Sequence, residues 1–134
     1  MYGSLDISTS ALVANRIRLE TISGNLANQQ TILNADGDYE PYRRRDVYLA
    51  AGDPANESEL GVHVAEIRLD DGPLRAQFEP GSPYADAAGY VHYPSIDPVV
   101  ETMNAMEASR SYEANVMAIE ATKSMMSIAL EMIA

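Results

Sequence analysis

The sequence predicts an α+β protein in which a long helix at each terminus flanks a small β-rich and irregular middle region. Leucines recur at every seventh position near the N-terminus, turn-forming residues punctuate residues 29–96, and neither Pro nor Gly follows Pro98. A seven-residue apolar repeat indicates a helix that buries one stripe, and frequent Gly and Pro separate short strands. We therefore expect an elongated molecule built from three segments, residues 1–31, 32–96 and 97–134.

The N-terminal helix is expected from about Ser4 to Asn28. Its apolar stripe combines the leucine repeat with one isoleucine: Leu5, Leu12, Leu19, Ile22 and Leu26. Gly24 lies near the expected end and costs about 1 kcal/mol relative to Ala in a helix. The last turn is therefore expected to be weak.

The C-terminal helix is expected from residue 97 to about 133, because Asp97 is a good N-cap and Pro98 suits the first helical turn. Its apolar positions are Met103, Met106, Tyr112, Val116, Ile119, Met126, Leu130 and Ile133. At about 1.5 Å per residue this helix is about 55 Å long, against about 36 Å for the N-terminal helix. We expect the two stripes to pair as an antiparallel coiled coil, with the surplus length covered by other subunits.

Short strands are expected in the middle region. Residues 61–69 alternate in polarity, but the phase slips by one near Ala65 and Glu66, which a β-bulge explains. Weaker strand candidates are residues 42–50, 74–79 and 89–93, each bounded by Pro or Gly.

Composition excludes several classes of function. The formal charge of -11 opposes binding to nucleic acid, because such binding depends on Lys and Arg releasing counterions from the polyanion. The absence of Cys removes disulfides, thiolate metal cages and thiol nucleophiles. The first basic residue is Arg16 and no run of about 18 apolar residues occurs, so we expect neither a cleaved signal peptide nor a membrane span.

Catalytic and metal-binding patterns are weak, and we expect neither an enzyme nor a cofactor. His63 and His92 share no ligand spacing with each other or with an acid. Residues 34–45 begin with acidic or amide side chains at alternate positions, but Tyr39 and Arg45 stand where a calcium loop requires Gly and Glu. An acidic turn explains that segment.

One basic cluster is present, formed by Arg43, Arg44 and Arg45. It is too small for a nucleic-acid patch in an acidic protein. In a strand, Arg43 and Arg45 share one face. They would either pair with an acidic loop of a neighbouring subunit or form a solvated edge that discourages stray strand pairing. The sequence leaves both alternatives open.

Two blocks at the termini carry a recognisable pattern. The first, SALVANRIRLETISGNLANQQT, ends in a motif formed by Asn25, Leu26, Ala27, Asn28 and Thr31. The second, VVETMNAMEASRSYEANVMAIEATKSMMSIAL, contains Arg110, Tyr112, Glu113, Ala114 and Asn115. The first block resembles the N-terminal signature, and the second the closing helix, of the flagellar basal-body rod family of bacteria.

The middle region is similar to that of the proximal-rod members of this family. The segment EPYRRRDV matches a family segment through Pro41, Tyr42 and Arg43, and residues 61–97 match a longer one. Glu40 stands where the family usually has Gly, so a local difference in turn geometry is expected.

The resemblance implies a non-enzymatic structural subunit of the hollow axial rod, which transmits torque from the motor to the hook. It also implies assembly with copies of itself and with other rod proteins, export through the flagellar type III apparatus, and a location in the basal body where the rod crosses the periplasm. We further expect Asn25, Asn28 and Thr31 to satisfy backbone groups where the first helix ends, and so to fix the angle between the helices and the middle region.

Other functions remain as alternatives. One alternative is another rod or hook-rod subunit with the same termini. Another is a soluble adaptor protein whose helical bundle is covered internally. A more remote alternative is an acid-dependent hydrolase based on Asp70, Asp71 or Glu79.

Overall fold

The computed structural model describes residues 2–134, which form two helices and four strands. Helix α1 spans Tyr2–Ala27 and helix α2 spans Pro98–Ile133. The strands are β1 (Arg45–Asp53), β2 (Ser58–Leu69), β3 (Arg75–Phe78) and β4 (Tyr90–Tyr93). The predicted α+β class, with terminal helices around a middle region that contains short strands, is confirmed. Residue 1, part of the first predicted segment, lies outside the described residues.

The start of α2 follows directly from its sequence. The Asp97 carboxylate accepts a hydrogen bond from the Val99 backbone N–H at 2.9 Å, and Pro98 occupies the first helical position. Asp97 therefore caps the helix as predicted. Helix α1 ends at Ala27, one residue before its expected end.

Strands β1 and β2 form a long antiparallel hairpin that packs along α1. Tyr48 pairs with Glu66, but the next residue, Leu49, pairs with Val64, so Ala65 is the extra residue of a β-bulge. The bulge predicted from the slip in polarity is confirmed at this position.

The turn of the hairpin lies beside the first half of α1. The Val62 backbone N–H donates to the Ser10 hydroxyl at 3.1 Å. The preceding Gly61 has a φ of +93°, and a Cβ on it would lie 2.7 Å from the Ser10 Oγ. Glycine is favoured here, because residues with a side chain rarely adopt this backbone conformation and a Cβ would displace the Ser10 hydroxyl that accepts from Val62.

Strands β3 and β4 form a second two-stranded ribbon, within the predicted segments 74–79 and 89–93. Aromatic contacts hold this ribbon and its loops together. Phe78 packs edge-on against Tyr90 at a centroid distance of 5.3 Å, and Tyr39 stacks on Tyr84 at 5.6 Å. Such pairs stabilise a small ribbon beyond the surface that they bury.

Helices α1 and α2 pack antiparallel to each other. Asn25 contacts Glu101, and Asn15 contacts Ser111, so the residue numbers run in opposite directions. Continued at the same rise per residue, this register places Tyr2 level with about residue 124. The last turns of α2, from about residue 125, therefore extend beyond α1.

The chain buries few apolar side chains. Within residues 3–134, whose side chains are described, the buried apolar side chains are Ala14, Ile22, Val91, Pro94, Ile96 and Ala108. The accessible surface is 8966 Å², whereas a compact monomer of 14.6 kDa exposes about 6,900 Å². The excess is more than twice the roughly 800 Å² that one partner contributes to a standard protein interface.

Candidate assembly site at the helix and hairpin junction

A polar cluster, in which Asn25 and Glu101 are buried, joins the end of α1 to the starts of β1 and α2. We call it the junction; its members are Asn25, Tyr42, Arg44, Arg45 and Glu101.

Asn25 lies on the last turn of α1 and is 1% exposed. Its amide nitrogen donates to the Arg45 carbonyl oxygen at 2.9 Å, and its carbonyl oxygen accepts from the Arg45 backbone N–H at 3.0 Å. The Tyr42 hydroxyl donates to the same Asn25 oxygen at 3.0 Å. One side chain thus satisfies both backbone groups of the first residue of β1.

Glu101 places a carboxylate inside the junction, where it is 1% exposed. One oxygen accepts a hydrogen bond from the Arg44 Nε, and the other lies 3.4 Å from the Asn25 amide nitrogen. Arg44 also pairs with Asp46. Burial by itself lowers the pKa of Arg44, but its hydrogen bonds and charge interactions with Glu101 and Asp46 outweigh burial and raise that pKa above its ordinary value. The buried charge is therefore paired, as a carboxylate removed from water requires.

A polar turn follows α1. The Asn28 side-chain amide donates to the Gly24 carbonyl oxygen at 2.8 Å, and the Asn28 backbone N–H donates to the same oxygen at 3.1 Å. The Thr31 hydroxyl donates to the Asn28 side-chain oxygen at 3.1 Å, and the Tyr42 backbone N–H donates to the Thr31 carbonyl at 3.0 Å. These bonds engage groups that a helix end otherwise leaves unpaired.

A cleft of about 370 Å³ opens beside the junction. Pro41, Tyr42, Arg43 and Arg45 form part of its wall. The Arg43 guanidinium donates to the Gly72 carbonyl oxygen at 2.6 Å, and the Arg45 guanidinium lies over the Tyr42 ring at 5.8 Å from the centroid. The cleft therefore has a cationic side in an otherwise acidic protein.

Polar and small residues make close contacts between the helices. The Asn15 amide donates to the Ser111 hydroxyl at 2.9 Å, and Asn15 is 5% exposed. Ala14 and Ala108 are 2% and 0% exposed. Sequence reasoning missed Asn15, Ala108 and Glu101 because it followed large apolar residues. The available signal was the seven-residue spacing from Asn15 to Ile22 and from Glu101 to Ala108.

The structure divides the residues predicted for helix pairing into three groups. Ile22 is buried. Half-buried are Leu5, Leu12, Leu19, Leu26, Val116, Ile119 and Met126. Exposed are Met103, Met106, Tyr112, Leu130 and Ile133. The exposed group lies on parts of α2 that α1 does not cover.

The structure does not bring the motif residues in the middle of α2 to the junction. Arg110, Glu113 and Ala114 are exposed. Asn115 is half-buried, and its amide donates to the Ser111 carbonyl oxygen at 2.8 Å. Ala27 of the N-terminal motif is exposed as well.

The histidines have ordinary structural contacts. The His63 Nδ1 lies 2.8 Å from the Gly52 carbonyl oxygen, and the His92 Nε2 lies 3.4 Å from the Asp86 carboxylate. Within the described residues, no three His, Cys, Asp or Glu side chains cluster as metal ligands would. Neither described helix combines the length and the apolar character that a membrane crossing requires.

Two family models match the chain at its helical ends. The model described as flagella basal body rod protein matches residues 5–31, which lie mainly in α1. The model described as flagellar basal body rod FlgEFG protein C-terminal matches residues 87–132, from β4 through α2. The matched segments are therefore the two that pack against each other.

Relatives that match nearly the whole chain show which rod protein it resembles. The flagellar basal-body rod protein FlgC of Bacillus subtilis is 39% identical, covering 97% of this chain and 96% of the relative. The FlgC proteins of Yersinia enterocolitica and Salmonella typhimurium are 44% and 41% identical, each covering 90% of this chain and 89% of the relative. The chain belongs to the family of flagellar basal-body rod proteins FlgC.

Proposed function

We propose that this chain is a subunit of the proximal rod, in which α1 and α2 pair as a coiled coil and continue into an inner layer shared with neighbouring subunits. Membership of the family makes it a structural rod protein and not an enzyme. The observation that carries the proposal is the uncovered apolar surface of α2. Met103 and Met117 are 64% and 68% exposed on its sides, and Ile133 is 84% exposed at its end. Large apolar side chains left exposed at intervals along one helix are expected to be covered by another chain.

The contacts between the helices support coiled-coil pairing. Buried positions recur seven residues apart on each helix, at Asn15 and Ile22 and at Glu101 and Ala108. A polar residue such as Asn15 at a core position sets the register of a coiled coil at some cost in stability. On this proposal residues 1–31 and 97–134 form the inner helical part and residues 32–96 the outer part.

The partners in the proposal are copies of this chain and other rod proteins. Contacts between different surfaces do not close on themselves and so build a helical tube. Six of the seven methionines lie in α2, and Met adapts to neighbours of different shape. The junction fixes the hairpin to both helices through Arg45 and Glu101, so torque applied to the outer part reaches the inner helices.

Export through the type III apparatus, without a cleaved signal peptide, completes the proposal. Passage through a narrow channel requires an unfolded chain. A chain that buries few apolar side chains gains little from folding alone, since burial of apolar surface is the main favourable term. The small core therefore supports folding that is completed on incorporation into the rod.

Complementation tests the proposal directly. In a motile bacterium that lacks its own FlgC, this chain is expected to restore swarming and to appear in purified basal bodies, where cryo-electron microscopy locates its helices. The Asn28→Ala variant loses the bonds to Gly24 and Thr31, and we expect reduced swarming. The matched control is Gln29→Ala, since Gln29 is half-buried in the same turn and its side chain takes no part in the hydrogen bonds of Asn28 and Thr31. Normal swarming of Asn28→Ala would contradict the role given to this turn.

A further inference from the structure

The hairpin turn is an acidic end of the molecule. We call residues 53–59 the acidic tip. Neither residues 1–15, which include the part of α1 beside it, nor residues 47–67 of the hairpin contain Lys or Arg. Glu57 and Glu59 are exposed and make no ion pair within the described residues. Asp53 instead holds the turn, accepting hydrogen bonds from the Ala55 N–H at 3.0 Å and the Asn56 amide at 2.6 Å. Two carboxylates are therefore presented on an ordered turn.

The cleft beside the junction has the opposite character. Arg43 and Arg45 both form part of its wall, and neither makes an ion pair within the described residues. Arg44, between them in sequence, is already paired with Glu101 and Asp46. The acid in the cleft wall is Glu40, whose carboxylate accepts a hydrogen bond from the Asn34 amide at 3.0 Å. The cleft thus offers two guanidinium groups that lack a carboxylate partner.

The tip and the cleft of one molecule are far apart. The hairpin is attached to α1 at Ser10 near its turn and at Asn25 near its open end. These two attachment points are 15 residues apart in sequence, which corresponds to about 22 Å of helix. Any ion pair between the tip and the cleft must therefore join two molecules.

We propose that the acidic tip of one copy docks in the arginine-lined cleft of the next copy. This inference rests on the proposed rod assembly and specifies one contact within it. The partner is a second copy because this chain itself carries both the carboxylates and the guanidinium groups, on different surfaces. Such a contact is heterologous and propagates from copy to copy. Exposed charge pairs fix orientation and register more than affinity, while the apolar faces of α2 supply buried area.

Charge reversal tests the contact in the assembled rod. The variants are Glu57→Lys/Glu59→Lys at the tip and Arg45→Glu in the cleft. Arg45 bonds to Asn25 only through its backbone, so the substitution leaves those bonds in place. Each variant alone is expected to lose swarming, because it places like charges opposite each other, and their combination in one chain is expected to restore it. The matched control Asp36→Lys/Asp38→Lys reverses two exposed carboxylates of another turn and is expected to keep swarming.

Cross-linking identifies the partner. The chain has no Cys, so a Glu57→Cys/Arg45→Cys variant introduces the only thiols. A disulfide requires Cα atoms within about 7 Å, which the separation along α1 excludes within one molecule. Mild oxidation of basal bodies that contain this variant is expected to give a ladder of covalent multimers of the chain. Each single-Cys variant is expected to give none.

The outcomes separate this inference from the proposed function. Unchanged swarming in both single-site reversals would overturn the contact. Loss of swarming without rescue in the combined variant, or cross-links to a different rod protein, would overturn the second copy as the partner. Failure of the unmodified chain to restore swarming would instead refute the proposed function itself.

Discussion

The first turns of α2 and its last turns differ in what covers them. Near the start, Glu101 is 1% exposed and contacts Arg44 and Asn25. At the end, Met132 and Ile133 are 83% and 84% exposed, beyond the reach of α1. Near its start, α2 therefore buries one face against its own chain while Val99 and Met103 stay exposed on its sides, whereas its last turns are uncovered all round. Folding of the isolated subunit and assembly of the rod are thus assigned to different surfaces of one helix, and substitutions can test each surface independently.

Replacing Glu101 by Ala is expected to have the largest effect on the isolated chain. It removes the buried partner of Arg44, whose side chain is 20% exposed. Removing one member of a buried ion pair destabilises a protein by about 3–5 kcal/mol, and because Arg44 keeps its pairing with Asp46 we expect a loss at the lower end of that range. Urea unfolding followed by circular dichroism measures the loss.

The matched control is Glu107→Ala. The Glu107 side chain is 72% exposed and lies 3.7 Å from Arg18, and exposed pairs contribute about 0–1 kcal/mol. Equal losses of unfolding free energy in the two variants would show that the burial of Glu101 contributes nothing to stability. The distinction between the covered start and the uncovered end of α2 would then have no energetic basis.

Replacing Asn25 by Ala is expected to have the next largest effect. It leaves the Arg45 backbone N–H and carbonyl without the hydrogen bonds that Asn25 supplies at 3.0 and 2.9 Å. These bonds are partly buried, and a polar group left unsatisfied away from water costs about 1–3 kcal/mol. We expect lower unfolding free energy together with faster amide hydrogen exchange at Arg45. In the control Asn115→Ala, the lost bond is to the carbonyl of Ser111 within α2, so exchange at Arg45 should not change; if it rises equally, the effect is not specific to the junction.

In an exposed turn, as at Asn25, one side chain accepts hydrogen bonds from backbone N–H groups. The Asp86 carboxylate accepts hydrogen bonds from the Tyr90 and Ala88 backbone N–H groups, each at 2.9 Å. These bonds, the one from Tyr90 first, together with His92, hold the pKa of Asp86 below its ordinary value. Ionised Asp86 therefore stabilises the turn above the ordinary pKa, and this contribution is lost as the pH falls through the lowered value.

Carbon-13 NMR of the Asp86 carboxyl group measures this effect. We expect a titration midpoint below the ordinary aspartate value, and a Tyr90 amide shift with the same midpoint. In the Asp86→Asn variant the oxygen acceptor remains but does not titrate, so the Tyr90 shift should not follow that curve. A Tyr90 shift with the same midpoint in the variant would mean that another group holds the turn.

The sequence predicted what depends on local pattern and missed what depends on distant contacts. Asp97 and the slip in polarity at Ala65 identified the start of α2 and the bulge, because caps and side-chain alternation are local properties. Asn25 and Tyr42 were predicted as motif residues, but the pairing of Arg44 with Glu101 was not. Arg44 and Glu101 are 57 residues apart, and charged residues are ordinarily assigned to the surface. Their burial becomes visible only when the helices and the hairpin are brought together.

Polar substitution at the uncovered end of α2 tests whether this end contacts another chain. It should have the smallest effect on the stability of the isolated chain. Leu130 and Ile133 are 66% and 84% exposed, so the Leu130→Gln/Ile133→Gln variant is expected to change the free energy of unfolding by no more than about 0.5 kcal/mol. Swarming is nevertheless expected to be lost, while the neighbouring control Glu131→Gln keeps it. A large loss of stability in the isolated double variant would mean that this end is covered within the chain, and would favour a self-contained helical adaptor. Loss of swarming at unchanged stability assigns the defect to contact with another chain, because the subunit itself has lost no interaction.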